Sequence, residues 1–328
     1  MVFRLFSFRK KIANIVVKDH VIRYVELKQR HPLVVHKCGE RFLPEGIIRD
    51  GKIVDEERFM LIMEECVTEW KLKNRRIRFL VPDPFVVIRK ISIPADLQQD
   101  EIRGYLFMEL GSSIHLPFEE AVFDFVVLER KKDKLDVLLF AAPESIVMKY
   151  AELFEQADLK PIVADISPLS LYRLFYEYGQ ADENDHLLFV QFDLSSLNVS
   201  VFHQHKPIFT RQLAFDSHFA DWERTEAGWK WTKQNERPEW QLEDIYKEME
   251  RFMNFYRFSI HQGNEQITRI VMTGDHPLLS AFTDMLRNRL DVPVQEMTVN
   301  ADGQEVDRSY YLAIGLALKE GTAHASGN

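Results

Sequence analysis

His203 and His205 are two residues apart and could hold a metal from one face of a strand, where side chains at i and i+2 point the same way. No third ligand stands near them in the chain, and the spacing equally suits two exposed rings at a hairpin tip. Asp182-Glu183-Asn184-Asp185 is acidic but lacks the spaced glycine and glutamate of a calcium loop, so it reads as a solvated linker. Cys38 and Cys66 are too few and too far apart for a zinc site or a disulfide framework. No nucleophile-elbow serine, H-E-x-x-H pair or P-loop occurs. The side chains best suited to binding are Trp222, Trp229, Trp231 and Trp240, set among charges. Tryptophan is enriched at binding hot spots, which makes them candidate partner contacts; the alternative is the core of a small subdomain. The opening MVFRLFSFRKK mixes Phe3, Leu5, Phe6 and Phe8 with Arg4, Arg9, Lys10 and Lys11. Residues Met1–Lys11 are therefore a candidate for peripheral contact with an anionic membrane surface. No run is long and apolar enough for a transmembrane helix.

The elements that must position these groups follow from periodicity. Alternating, β-branched runs predict strands over 12–17, 21–28 and 33–42, joined by short turns. Asp55 is placed to cap a helix whose apolar face is Phe59, Ile62, Met63, Cys66, Val67 and Trp70. A strand over 76–81 closes at Pro82-Asp83-Pro84. Residues 85–142 read as a module of their own: a strand over 85–93, a helix from 97 to 111, and strands over 118–128 and 135–140. Helices over 144–156 and 169–178 flank a strand over 161–166, and a polar linker spans 179–185. Then the opening order repeats, with strands over 186–193, 197–203 and 207–214. Charged, irregular sequence from 216 to 238 precedes a helix over 241–261, a strand over 269–273 and helices over 278–290 and 310–319. The small, polar residues 320–328 read as a disordered tail. The length suits about two domains. Two halves of like element order imply a duplicated α/β fold, each half carrying an insertion. The net charge of −9 argues against a general nucleic-acid binder.

Several segments, taken in order, resemble the PilM-type pilus assembly proteins, which group with the cell-division protein FtsA in the actin-like superfamily. They are Arg23-Tyr24-Val25-Glu26-Leu27, Ser92-Ile93-Pro94, and Leu116-Pro117-Phe118-Glu119-Glu120 followed by Asp124. Ala141-Ala142-Pro143-Glu144, Leu159-Lys160-Pro161 with Asp165-Ile166, and Ala313-Ile314-Gly315-Leu316-Ala317-Leu318 complete the set. The resemblance covers most of residues 12–319. It implies a subdomain 1A over 12–84 and 143–180 with 1C inserted at 85–142. It likewise implies 2A over 186–215 and 262–319 with 2B inserted at 216–261.

Actin-like folds hold ATP with magnesium between the halves, on hairpins whose glycines let the backbone approach phosphate. The residues at those places here are Lys18 and Arg23 in the first hairpin, Asp193, Ser195, Ser196 and Asn198 in the second, and Gly274 and Asp275 in the third turn. Val16 stands where the family has an acid, and Lys18 and Ser195 stand where it has glycine. A side chain forced into a glycine-only conformation costs about 1–3 kcal/mol. Thirteen glycines in 328 residues is also a low share. The resemblance with these departures implies a protein with no catalytic residues, no cofactor and no metal: a cytoplasmic scaffold at the inner face of the cell membrane. Its implied partners are the N-terminal cytoplasmic peptide of a PilN-like bitopic membrane protein, held in a groove lined around residues 85–93 and 97–110, and other parts of the pilus machine. Two alternatives remain: an ATP-binding actin-like protein whose nucleotide state switches partner binding, and the cytoplasmic domain of a GspL-type secretion protein.

Overall fold

The computed structural model describes residues 12–213, 221–225, 228–233, 238–260, 262–301 and 303–320. The membrane-contact segment Met1–Lys11 and the tail from 321 lie outside these residues.

The first half begins with β1 (Ala13–Lys18), β2 (Val21–Gln29) and β3 (Val34–Phe42), an antiparallel meander. A small hairpin, β4 (Ile48–Arg49) and β5 (Lys52–Ile53), leads to α1 (Glu56–Glu69). Asp55 caps α1 by accepting from the Arg58 backbone N–H, and Glu56 and Glu57 suit the positive end of the helix dipole. After β6 (Arg76–Leu80) the chain enters β7 (Val87–Pro94), α2 (Glu101–Glu109), β8 (Ala121–Arg130) and β9 (Lys134–Pro143). It returns through α3 (Glu144–Gln156), β10 (Lys160–Asp165) and α4 (Ser167–Glu177). The second half holds β11 (Leu187–Asp193), β12 (Ser196–His203), β13 (Lys206–Leu213), β14 (Trp222–Thr225), β15 (Gly228–Trp231) and α5 (Trp240–Asn254). It ends with β16 (Arg269–Thr273), α6 (Leu279–Arg289), β17 (Val294–Glu296), β18 (Asn300–Ala301), β19 (Gln304–Glu305) and α7 (Tyr311–Leu318).

The main sheets have matching topology: β3-β2-β1-β6-β10 in one half and β13-β12-β11-β16-β17 in the other. In each, two antiparallel pairs are followed by parallel ones. This is the duplicated α/β fold expected from the repeat of element order, and it agrees with the actin-like architecture that the resemblance implies. Residues 87–143 add a separate three-stranded sheet, β7-β9-β8, with α2 packed on one face through Ile102 and Leu106. A central apolar layer joins the halves. It places α4 and α7 between Val16 and Val25 of the first sheet and Leu187, Phe189 and Val271 of the second.

Four expectations change. Within residues 216–238, the described part contains the hairpin β14–β15, whose Trp222 and Trp231 are cross-strand partners in edge contact at 5.1 Å. Such pairs stabilise a strand that the surrounding charges hide from a periodicity reading. The helix expected to run to 261 leaves α geometry after Asn254 and continues as a π-turn over Phe255–Ile260. The wider turn accompanies a fully buried Tyr256 whose hydroxyl lies 2.7 Å from His186 Nδ1. α2 is shorter than expected because residues 96–100 form its entry turn, with the Glu101 carboxylate accepting from the Gln98 N–H at 2.8 Å. His203 and His205 are not a pair of free rings: His203 stacks on His186 at 4.0 Å and His205 meets the Tyr172 hydroxyl at 2.6 Å.

Cys66 is fully buried on the inner face of α1, and burial pushes its thiol up to about 12. Cys38 is exposed. A thiol titration of the folded chain at mildly alkaline pH is therefore expected to count only Cys38, with Cys66 appearing on denaturation, because the thiolate is the reactive form.

Candidate functional site

Four turns meet between the two main sheets, and they bring the expected nucleotide-site residues together. The β1–β2 turn supplies Lys18, His20 and Arg23; the β11–β12 turn supplies Asp193, Ser195, Ser196 and Asn198; the turn after β16 supplies Gly274 and Asp275. The fourth, Pro82-Asp83-Pro84, is a contributor that sequence reasoning missed. Its one signal was an acid fixed between two prolines.

These side chains largely pair with one another, although the buried Asn198 Oδ1 has no hydrogen-bond partner. The Lys18 ammonium lies 2.5 Å from Asp83 and 3.3 Å from Asp193. Asn198 donates to Asp83 at 3.1 Å and to the Ser196 hydroxyl at 3.3 Å, and Gln191 donates to Asp193. Asp275 takes three donors: Arg23 at 2.6 Å, His20 Nε2 at 2.9 Å and the Leu194 backbone N–H at 2.9 Å. The other His20 nitrogen meets the Ser195 hydroxyl at 2.9 Å, and Arg23 Nε reaches Glu40 at 3.2 Å. Gly274 has φ +119°, and a Cβ there would stand 2.1 Å from the Phe192 carbonyl oxygen, so this glycine serves a close backbone approach inside the protein.

The electrostatics agree with the distances. Burial opposes the Lys18 cation, but Asp83 and Asp193 outweigh it and hold the ammonium above its ordinary range. Burial pushes the Asp193 carboxyl up and Asp275 adds to that, against the pull of Lys18. For Asp275 burial also opposes the charge, yet His20 and Arg23 prevail and hold it well below the usual carboxylate range. Burial keeps His276, at the back of this wall, neutral by lowering its pKa to about 3.

A nucleotide with magnesium does not fit these residues. Lys18 and Arg23, the cations nearest the phosphate positions, are each paired with carboxylates from the turns around them. Asp193, the residue at the metal-organising position, already faces an ammonium. The space lined by Val16, Lys18, Arg23, Asp193, Gly274 and Asp275 is about 10 Å³, room for about one water, whereas ligand pockets begin near ~300 Å³. Among the described residues no group of three or more His, Cys, Asp or Glu is placed to hold a metal.

A larger, partly apolar opening lies elsewhere. A groove of about 330 Å³ runs between the face of the small sheet not covered by α2 and the elements β10, α4 and the β12–β13 hairpin. Its floor is Val126, Leu128, Leu138, Phe140, Ile166 and Leu169, and Asp124, Asp165, His205, Lys206 and Lys319 stand at its rim. Asp165 is taken up by Arg173 at 2.9 Å and Lys319 at 3.1 Å, while Lys206 has no ion-pair partner among the described residues. β8 and β10 are the outer strands of their sheets, so each offers an unpaired backbone edge here. The elements at 85–93 and 97–110, expected to line a partner groove, do not line this one. β7 is turned toward β13, and α2 covers the opposite face of the small sheet.

Residues 15–221 match the family described as type IV pilus assembly protein PilM. The chain belongs to this family. The fold is also that of a solved structure described as the PilM-PilN type IV pilus biogenesis complex, with a TM-score of 0.73 at 18% identity over 94% of this chain and 98% of that one. More distant likenesses include the ethanolamine utilization protein EutJ from Carboxydothermus hydrogenoformans, at TM-score 0.48 and 11% identity over 94% and 89% of the two chains. The cytoplasmic domain of EpsL, of the Vibrio cholerae type II secretion system, gives 0.48 and 9% over 95% and 96%.

The four tryptophans have unlike surroundings. Trp222 is buried, edge-on to His276 at 5.7 Å, which removes it from any partner surface. Trp229 packs edge-on against Phe42 of the first half at 5.1 Å, with Arg224 over its ring. Trp231 packs on Trp222, and Trp240, at the start of α5, is the one with 45% exposure. The β14–β15 hairpin thus serves mainly to tie the second half to β3.

Proposed function

We propose that the protein is a non-catalytic scaffold of a type IV pilus assembly complex. It holds the N-terminal cytoplasmic segment of a PilN-like bitopic membrane protein in the groove between the small sheet and β10. One contrast supports this reading: the cleft that would take a nucleotide is filled by the protein's own ion pairs, while an apolar groove between two unpaired strand edges stays open. An extended peptide can add to such an edge through its backbone and seat alternate apolar side chains on the floor. Burial of each such side chain contributes about 1.5–3 kcal/mol, so two or three suffice. The work done is recruitment and geometry, at the inner face of the membrane where the partner enters the cytoplasm. No helix of the described residues is long and apolar enough to cross a membrane.

The test is calorimetric titration with a synthetic peptide of the partner's cytoplasmic N-terminus. Val126 is 52% exposed on the groove floor. Val126→Glu should therefore weaken the peptide at least tenfold while leaving the unfolding temperature near that of the parent. A folded parent that does not bind, or a variant that binds equally well, would overturn the assignment. Labelled ATP is expected to show no saturable binding at millimolar concentration; saturable binding lost in Asp193→Ala would restore the nucleotide-switch alternative.

A further inference from the structure

The charged groups at the rim of the groove do not cancel. Asp165 is buried and takes two cations, Arg173 at 2.9 Å and Lys319 at 3.1 Å, so this group keeps one positive charge over. Lys206 is exposed and adds a second, with no ion-pair partner among the described residues. Asp124, the other acid at the rim, is matched by Arg103 at 2.8 Å. The acids Asp182, Glu183 and Asp185 lie in the linker beside the β12–β13 hairpin, but none of them lines the groove, and Asp185 faces Arg269 at 3.3 Å. The wall opposite the small sheet is therefore cationic, in a chain whose net charge is −9.

The backbone holds Lys206 in place. It opens β13 after the two-residue turn Gln204-His205, whose residues both have positive φ, as a type I′ hairpin turn requires. Its cross-strand partner His203 stacks on His186 at 4.0 Å. The Gln204 N–H donates to the Glu183 carbonyl at 3.0 Å, and His205 meets the Tyr172 hydroxyl at 2.6 Å. With the turn fixed, binding a charge costs mainly the rotamer freedom of the Lys206 side chain.

We infer that the segment held in the groove carries an acidic side chain that pairs with Lys206. This rests on the groove assignment made above. An N-terminal segment has no free carboxyl terminus to offer there, so the carboxylate is that of an Asp or Glu. The pair forms beside an apolar floor, where a charge contact is stronger than on open surface and a basic residue at the same place is rejected. A cationic wall on an otherwise acidic molecule also steers and orients the incoming segment. Lys206 belongs to the second half, whereas the apolar floor belongs to the first, so the bound segment would span both halves.

The experiment is calorimetric titration with the partner's N-terminal peptide and with versions in which each Asp or Glu is replaced singly by Gln. One replacement should weaken binding to the parent about tenfold and have no further effect on Lys206→Met, which itself binds the unaltered peptide about tenfold more weakly. Lys206→Glu should lose more than Lys206→Met and recover with a peptide carrying Lys at the sensitive position. Lys247→Glu, an exposed change of equal charge on α5, should bind like the parent. Tight binding that is equal for all the Gln versions, undiminished binding by Lys206→Met, or a partner segment without Asp or Glu that binds as tightly would overturn the inference and leave the groove assignment standing. A parent that binds none of the peptides would overturn both.

Discussion

Asp275→Ala is expected to lower the unfolding free energy by about 3–5 kcal/mol, because it leaves a buried cation without its main counter-charge. The side chains of Arg23, His20 and Asp275 are only 7%, 1% and 6% exposed, so solvent cannot take the carboxylate's place. Three donors lose their acceptor in one substitution: Arg23 keeps only Glu40, the His20 Nε2 contact is broken, and the Leu194 N–H is orphaned. Urea unfolding measures the loss. Arg23→Met removes the stranded charge, so the double variant should be more stable than the two single losses added together. Full additivity would mean that the pair is not coupled and would contradict the described cleft. The pH dependence has a definite sign. Asp275 is held well below its ordinary value in the native state. Its contribution is therefore complete above the unfolded value of about 3.9 and is lost as pH falls from there through the native value. The deficit of Asp275→Asn relative to the parent should be constant near neutrality and shrink only below about pH 4.

Gly315→Ala is the second large effect, and two opposing terms set its sign. Gly315 lies within α7, where alanine is favoured over glycine by about 1 kcal/mol. A Cβ at this position, however, would stand 2.0 Å from the Ser170 carbonyl oxygen of α4. That atom belongs to the backbone and cannot rotate away, so the two helices must separate. Overpacking of this kind costs about 1–3 kcal/mol or more before any lost contacts are counted. Separation would also strain the Ser170 hydroxyl's bond to Leu312 O at 2.6 Å and the Arg173 bond to Gly315 O at 2.6 Å. We expect a net loss of about 3 kcal/mol in thermal or urea unfolding. Ser170→Gly should not rescue it, since the clashing carbonyl remains. Unchanged stability would mean that α4 and α7 do not cross this closely. The crossing lies in the apolar layer between the two sheets, so its loosening should also speed amide exchange in both halves.

Besides the β14–β15 hairpin, the halves of this protein are thus joined by an apolar and an ionic device. The α4–α7 layer supplies area. The cleft supplies charge pairs in the space where a nucleotide would otherwise bridge the halves. A buried ion pair of this sort adds little stability over an apolar filling, but it is costly to break, and it fixes one relative placement. Under the function proposed above, such rigidity would let the protein present its groove in one orientation.

Much of the fold was legible because burial follows local period. The fully buried β11, with Leu187, Phe189 and Phe192, and α1, with its Asp55 cap, can be read from neighbouring residues alone. Lys18 and Ser195 at positions where the resembled family has glycine, and the cation kept at Arg23, were visible once that resemblance was drawn, because backbone permissiveness belongs to residue type. The hairpin at Trp222 and Trp231 was hidden, since its pairing depends on contact with His276 and Phe42 rather than on alternation. So were the fate of the cleft and the place of the groove. Nothing local ties Lys18 to Asp83, 65 positions along, or His20 to Asp275, 255 positions along. The chain by itself determined two like α/β halves and a net negative charge, which rest on residue type and period; the departures at the phosphate positions were legible only against the family it resembles. Only the tertiary structure decided that the eroded site is closed by its own charges and that the open surface lies between β8 and β10. Charge pairing and pocket shape depend on which distant turns meet, and that is set by packing across the two sheets.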